Sequence, residues 1–208
     1  MKLKHLPAGF VIPAQPVMAS EPPSGPDWVH EIKHDGYRMI VRRDGPTVRL
    51  YSRNAYDWTR RLPTIALTDD RIKAKSFTID GEAVMLGPDG SSQFEDLRRR
   101  DAAYKAILYA FDLLEHDGED MRNRPFLDRK AALARLLRDI EPGILLNQPV
   151  AEDGPTVSST LAGLVPRASS RRRSTEPIGR VRVGSGSRSA IPRASRCSGS
   201  AARIGIDD

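Results

Sequence analysis

The chain has 208 residues, which is enough for one large domain or two small ones. Hydrophobic residues make up 39% of it and charged residues 29%. No apolar run reaches about 18 residues, so no membrane-spanning helix is predicted. The formal net charge of +6 is unevenly distributed, because residues 1–155 carry −1 and residues 156–208 carry +7. The basic balance therefore belongs to the C-terminal quarter and does not indicate that the rest of the chain binds nucleic acid.

Cysteine and histidine usage excludes two further classes. The single cysteine, Cys197, excludes an intramolecular disulfide framework and a cysteine-rich zinc site, and the four histidines show no metal-ligand spacing. Pro13 and Pro16 interrupt the N-terminal segment, so no apolar core of a signal peptide forms. We therefore expect a cytoplasmic, nucleoid-associated protein without membrane contact.

Alternation of apolar and polar residues predicts several short strands. The first 27 residues are rich in proline and alanine and are expected to form an N-terminal loop segment. Strands are then predicted at 28–33, 37–43 and 47–53, with Asp-Gly turns between them. Further strands are predicted at 76–86 (a strand pair ending in the turn 87–90), at 107–114 and at 144–150.

Helices are predicted at 57–68, where Pro63 weakens the pattern, at 94–100 and at 127–140. The last is the clearest, because its apolar residues recur with helical spacing. One face carries Leu127, Ala131, Ala134 and Leu137, and Leu133 and Leu136 lie beside it.

The composition changes after residue 154. Ser, Arg, Gly and Pro make up 30 of the 52 residues from 157 to 208, with no aromatic residue and no sustained apolar period. Such a segment cannot bury enough apolar surface to offset its ordering entropy, so a disordered tail is predicted over 155–208.

Lys33 is the residue that most needs explaining, because the chain has 7 lysines against 26 arginines. It is the last residue of a predicted strand and precedes an Asp-Gly pair by two residues. A guanidinium stays protonated, whereas an amine can lose its proton and attack an electrophile. We therefore predict that Lys33 forms a covalent adduct with a nucleotide.

Four motifs follow in order: KHDGYR at 33–38, SRN at 52–54, DGE at 80–82 and YAFDLL at 109–114, with Asp117-Gly118 and Arg129-Lys130 continuing the pattern. The first fits K-x-D-G-x-R of covalent nucleotidyltransferases, which is weak evidence when it stands alone. Together the motifs resemble the adenylation domain of ATP-dependent DNA ligases, of the bacterial end-joining repair type, over about residues 7–150. Three ordered motifs beyond the first make the resemblance specific.

The resemblance implies an α+β fold of antiparallel sheets with packed helices, an ATP-grasp-like adenylation domain. We expect it to be partial, over 28–154. It further implies that Lys33 attacks the α-phosphorus of ATP, that Glu31, Asp35, Gly36 and Arg38 shape the nucleotide site, and that Arg53 contacts the sugar and later a DNA 5′-phosphate. Glu82 would bind the ribose and a metal ion, Mg²⁺ or Mn²⁺, and Phe111 would stack on adenine. The implied partners are nicked or broken double-stranded DNA and end-joining repair proteins.

The sequence also departs from the family pattern. E-G-x-x-x-K does not occur, and no K-x-K follows the fourth motif, because the chain has no lysine after Lys130. The OB-fold domain that usually follows is expected to be missing as well. One explanation is a natural extension on a minimal ligase. The other, which we favour, is a frameshift near residues 155–158 that scrambles the remainder.

Alternatives remain open for both residues and function. Each Asp-Gly pair could be a plain hairpin turn, Phe111 could be ordinary core, and Glu82 and Arg53 could lie on a solvated strand face. An RNA ligase or a capping-type nucleotidyltransferase would share the first motif. A third possibility is a non-catalytic remnant, or a protein that binds DNA through Arg171-Arg172-Arg173.

Overall fold

Two separate β-sheets organise the chain. The computed structural model describes residues 6–14, 17–19, 28–68, 71–88, 90, 92–99, 104–140, 143–150, 169–173 and 181–183. The chain divides into two compact units, one of Met1–Pro13 with His34–Gln148 and one of Ala14–Lys33 with Pro149–Asp208.

The strands in chain order are β1 (Val17–Ala19), β2 (Trp28–Ile32), β3 (Tyr37–Asp44), β4 (Thr47–Ser52), β5 (Ser76–Val84), β6 (Ile107–His116), β7 (Glu119–Asp120), β8 (Ile144–Leu146), β9 (Pro149–Val150), β10 (Ser169–Arg173) and β11 (Val181–Val183). The helices are α1 (Pro63–Thr68), a 3₁₀-helix (Glu95–Arg98) and α2 (Phe126–Leu136). The expected α+β class is confirmed.

The first unit holds a sheet in the order β4-β3-β5-β6-β7, whose neighbouring strands are antiparallel, while β8 pairs with β6 in parallel. Alternate residues of β3 and β5, such as Met39 and Ile79, point to one face and form the apolar core with side chains from α1 and α2. Each fully buried aliphatic side chain of this kind contributes about 1.5–3 kcal/mol. The opposite face is also covered over β3 and β4, where Phe10 meets the ring of Tyr51 edge-on at 5.7 Å.

The pairing of β5 with β6 contains two irregularities. Ile79 lies opposite Leu113, Asp80 opposite Asp112 and Gly81 opposite Ala110, so the register shifts by one residue between Asp80 and Gly81. A side chain at Gly81 would meet Leu108 at 2.8 Å, because the two strands approach closely there. The Asp80-Gly81 pair therefore lies within one continuous strand, and the predicted turn at this position is wrong.

The helices show how the sequence pattern misleads at two points. The predicted helix 57–68 begins only at Pro63, since proline lacks an N–H and fits the first helical position. In α2 the buried residues are Phe126, Arg129, Lys130 and Leu133, whereas Leu127 is exposed. The predicted apolar face is therefore wrong for Leu127 and for Ala131, which is also exposed, because two buried cations occupy core-facing positions.

The outer edge of β4 is covered by the loop that follows it. The amide of Trp58 donates to Leu50 O at 2.7 Å, and the amide of Leu50 donates to Thr59 Oγ1 at 3.0 Å. These bonds occupy main-chain groups that an exposed edge would otherwise present to another strand.

The second unit holds a sheet in the order β1-β11-β10-β2-β9. β1 lies inside the segment predicted as an N-terminal loop, and β10 and β11 lie inside the predicted disordered tail. The remainder of that tail is outside the described residues, where disorder stays a prediction. The predicted strand 144–150 is two strands, β8 and β9, which belong to different sheets.

β2 and β3 also belong to different sheets, so Asp35-Gly36 does not close a hairpin between them.

Across the described part of the chain, no helix combines the length and apolar character that crossing a membrane requires.

We predict that Thr59→Val lowers the free energy of unfolding by about 1–3 kcal/mol, because the isosteric valine leaves the amide of Leu50 without its acceptor. Urea denaturation measures the change. Thr47→Val, on the exposed part of β4, is the matched control and is expected to change stability by less than about 0.5 kcal/mol. Equal stability of the two variants would contradict this account of the covered edge.

Candidate active site

A buried ion pair joins the two central strands of the first unit. Arg38 Nε donates to Asp80 Oδ1 at 2.9 Å and Arg38 Nη2 donates to Asp80 Oδ2 at 2.6 Å. The side chains are only 6% and 4% exposed. Such a bidentate, charge-assisted pair fixes the orientation of both groups. Arg38, the last residue of the K-x-D-G-x-R motif, is therefore held on β3 by a carboxylate of β5.

Glu82 and Phe111 lie next to this pair. Arg38 is directly opposite Glu82 in the β3–β5 register, so the two side chains share the sheet face that carries Asp80. Glu82 is itself buried, with 7% exposure. The guanidinium carbon of Arg38 lies 5.7 Å from the ring centre of Phe111, within the range of a cation–π contact. Three of the predicted site residues are thus brought together.

Phe111 owes its direction to an irregular strand. Because Asp80 pairs with Asp112 and Gly81 with Ala110, Phe111 is the extra residue of a β-bulge on β6. It is buried, but among the described residues the apolar core cluster does not include it. Its ring instead lies against Arg38, which argues against the alternative that Phe111 is ordinary core.

The carboxylate of Asp112 meets a second buried arginine. Arg129 Nε of α2 donates to Asp112 Oδ1 at 2.9 Å, and Arg129 Nη2 donates to Oδ2 at 3.3 Å. Asp80 and Asp112 are directly opposite each other across β5 and β6, a repulsive arrangement for two carboxylates. Each is compensated by its own guanidinium, from β3 and from α2.

The segment between Lys33 and β3 is held close to the sheet. A side chain at Gly36 would lie 2.1 Å from Ala83 O, so only glycine fits there. The ring of His34 stacks on Tyr109 with centroids 3.6 Å apart and planes inclined by 1°, and His34 Nε2 lies 3.1 Å from Asn147 Oδ1. Burial raises the pKa of the Tyr109 hydroxyl above its usual value.

The remaining predicted site residues are not among the described contacts of the Arg38 cluster. Asp35 is exposed, and Arg53 is exposed in the turn after β4, outside the described contacts of the Arg38 cluster. Glu31 and Lys33 belong to the second unit. There Glu31 is fully buried on β2, opposite Pro149 and Ser170 of the neighbouring strands, and Lys33 is half-buried directly after β2.

The residues of the cluster are compatible with a nucleotide and a divalent metal. Mg²⁺ is usually bound by one or two carboxylates together with nucleotide phosphates, and Glu82 supplies oxygen ligands of that kind. Within the described residues, no group of three His, Cys, Asp or Glu side chains could hold a metal ion alone. A metal bound at Glu82 would take its other ligands from water or from nucleotide phosphates.

Sequence reasoning missed Asp80, Asp112 and Arg129 as parts of this arrangement. A signal for Asp80 was present, because Thr78, Asp80 and Glu82 alternate as polar residues along an otherwise apolar strand. Period-two polarity in a strand whose other residues are buried indicates that the polar face is also buried and needs partners. Arg129 belongs to the Arg129-Lys130 pair that continues the family pattern, but its local sequence does not indicate burial, since an arginine in a helix usually faces solvent.

We predict that Arg38→Met lowers the free energy of unfolding by about 3–5 kcal/mol, because it leaves the buried carboxylate of Asp80 unpaired and facing Asp112. Arg42→Met is the control: Arg42 lies on the same strand face and pairs with Asp44, whose side chain is 70% exposed. Its loss is expected to cost less than about 1 kcal/mol. Similar losses in urea denaturation would contradict the role of the buried pair.

A family model described as ATP dependent DNA ligase domain matches residues 17–155. The multifunctional non-homologous end joining protein LigD of Pseudomonas aeruginosa is 36% identical over 149 residues, covering 69% of this chain and 18% of that protein. A probable DNA ligase of Streptomyces griseus is 41% identical over 146 residues, covering 61% of this chain and 28% of that protein.

Solved structures agree on the fold. The ligase domain of LigD from M. tuberculosis matches with a TM-score of 0.68 and 26% identity, over 82% of this chain and 59% of that one. A mycobacterial DNA ligase D complexed with ATP and MES matches with a TM-score of 0.66 at 24% identity, over 81% of this chain and 60% of that one.

The chain thus spans less than a third of the two curated relatives and about three fifths of the two solved structures. The family match covers all four motifs, from Lys33 to the bulged strand β6. The chain belongs to the family of ATP-dependent DNA ligase domains.

Proposed function

We propose that this chain carries out the first transfer of an ATP-dependent DNA ligase, with Lys33 as the nucleophile. The observation that carries the proposal is the Arg38–Asp80 pair: the last residue of K-x-D-G-x-R is locked on β3 beside Glu82 and Phe111. A phosphoryl-transfer site depends on such fixed geometry, because positioning and charge stabilisation supply most of its catalysis.

In the proposed step the neutral amine of Lys33 attacks the α-phosphorus of ATP. A nitrogen–phosphorus bond forms, the bond from the α-phosphorus to the bridging oxygen breaks, and pyrophosphate leaves while the amine proton passes to solvent. The products are a lysine–AMP phosphoramidate and pyrophosphate. Mg²⁺ or Mn²⁺, when bound, supplies positive charge for the phosphates.

The described contacts favour particular roles. Arg38 uses Nε and Nη2 on Asp80, so it acts mainly by holding the strand that follows the lysine loop. Glu82 is the proposed ligand of the ribose and of the metal, and Phe111 the proposed stacking partner of adenine. Glu31, Asp35 and Gly36 are proposed to shape the nucleotide site around Lys33, and Arg53 to contact the sugar and then DNA.

The substrates of the complete reaction are proposed from the similarity to relatives that are named as DNA ligases and end-joining proteins. AMP would pass from Lys33 to the 5′-phosphate at a nick or break in double-stranded DNA, and a 3′-hydroxyl would then displace it. End-joining proteins are the proposed partners, and the nucleoid is the proposed place of action.

We predict that incubation with α-labelled ATP and Mg²⁺ leaves label on the denatured protein, and that Lys33→Ala abolishes it because no other amine occupies the motif. Lys73→Ala, which removes an exposed lysine of the first unit, is the matched control and is expected to retain full labelling. Excess chelator is expected to prevent labelling and added Mg²⁺ or Mn²⁺ to restore it.

Labelling that persists in Lys33→Ala, or that is lost equally in Lys73→Ala, would overturn the assignment of the nucleophile. Comparison of ATP with GTP, and of nicked DNA with nicked RNA, separates the DNA ligase from an RNA ligase or a capping-type enzyme. The proposal expects ATP to be used and AMP to pass to nicked DNA.

A further inference from the structure

Two consecutive residues of α2 contact two consecutive residues of β6 at the bulge. Arg129 binds the carboxylate of Asp112, as described above. Lys130 Nζ donates to the main-chain oxygen of Phe111 at 3.2 Å. Arg129 is fully buried and Lys130 is 5% exposed. The bulge is therefore held from α2 at two adjacent points, one on a side chain and one on the main chain.

These two contacts differ in what they accomplish. A buried bidentate ion pair such as Arg129–Asp112 already ties α2 to β6. Arg129 Nη1 also donates to Arg124 O, which secures the start of the helix. A buried lysine adds a considerable desolvation cost, and helix docking does not require it. The Lys130 bond instead reaches the backbone of Phe111, the extra residue at the second of the two register shifts between β5 and β6.

The direction of the Phe111 ring depends on that backbone. In a bulge the extra residue has lost its regular ladder pairing, so its peptide orientation is set by other contacts. Fixing the carbonyl of Phe111 fixes the peptide plane next to its Cα and restricts the direction of the Cα–Cβ bond. The contact between Arg38 and Phe111 involves the ring of Phe111, whose centre lies 5.7 Å from the guanidinium carbon. The bond from Lys130 instead involves the main-chain oxygen of Phe111.

We propose that Lys130 is a positioning residue, which sets the Phe111 ring for nucleotide binding by holding the carbonyl of the bulge. This rests on the proposed function, in which Phe111 stacks on the base. Lys130 acts through Phe111 and does not itself contact the nucleotide. When the donor of Lys130 is removed, the chain still folds, but the peptide at the bulge can rotate. The affinity for the nucleotide therefore falls by more than the loss of unfolding free energy would explain.

The test compares Lys130→Met, which keeps the apolar stem and loses the donor, with Lys130→Arg, which keeps a donor. Leu133→Ala is the matched control, because Leu133 lies on the same buried face of α2 and packs in the core. The first readout is the ¹⁹F resonance of Phe111 in full-length protein labelled with fluorophenylalanine, assigned by Phe111→Leu and recorded without nucleotide. The second is the Kd of ATP, measured calorimetrically with Lys33→Ala in every variant so that no covalent product forms.

We expect Lys130→Met to shift the Phe111 resonance and to weaken ATP binding by about 5- to 150-fold, the range expected for loss of one base–aromatic stack. Lys130→Arg should restore both, and Leu133→Ala should leave both unchanged although it lowers the unfolding temperature. In a Phe111→Ala background, Lys130→Met should weaken ATP binding no further. If Lys130→Met does not fold, Lys130→Gln takes its place, because its neutral donor is too short to reach as lysine does. Lys130→Gln should then also shift the Phe111 resonance and weaken ATP binding relative to the chain that keeps Lys130.

An unmoved Phe111 resonance in Lys130→Met or Lys130→Gln would overturn the positioning role, and so would equal losses of ATP affinity in Lys130→Met and Leu133→Ala. Failure of the proposed function looks different. In that case the resonance moves on Lys130→Met, which supports the positioning of the ring, while no form of the chain binds ATP.

Discussion

Two aspartates that face each other across β5 and β6 impose the main constraint on the first unit. Asp80 and Asp112 are directly opposite and both are buried, so neither charge can be left to solvent. Arg38 supplies the countercharge from β3 and Arg129 supplies it from α2. The chain therefore has to bring two distant elements against the same pair of strands. A pair of buried ion pairs adds little to stability compared with apolar packing, but it tolerates few alternative arrangements.

This constraint links the fold to the site. Arg38 ends the KHDGYR motif at 33–38. Asp80 and Glu82 belong to the DGE motif at 80–82, and Phe111 and Asp112 belong to the YAFDLL motif at 109–114. The ion pair with Asp80 places Arg38 beside Glu82. The bulge on β6, opposite the step from Asp80 to Gly81, brings the Phe111 ring against Arg38. Arg38, Asp80 and Phe111, which follow one another at intervals of 42 and 31 residues, thus form one cluster because buried charges need partners.

The sequence was informative where a local pattern decides the structure. Tyr37–Asp44 and Ile107–His116 agree with the predicted strands within two residues, since alternation or continuous apolarity is characteristic of them. Sequence failed where tertiary contacts override the pattern. The buried face of α2 was misassigned because Arg129 and Lys130 have the appearance of surface residues until Asp112 and the Phe111 carbonyl are known. The bulge at Phe111 could not be predicted, because it is a property of two strands together.

The central claim is that Lys33 becomes adenylated. Intact-protein mass spectrometry after incubation with ATP and Mg²⁺, followed by peptide mapping, tests it most directly. The account predicts one added AMP per chain, on the peptide that contains Lys33, and its removal by added pyrophosphate, which reverses the transfer. Folded protein that binds ATP and remains unmodified at Lys33, or that carries AMP on another residue, would contradict it.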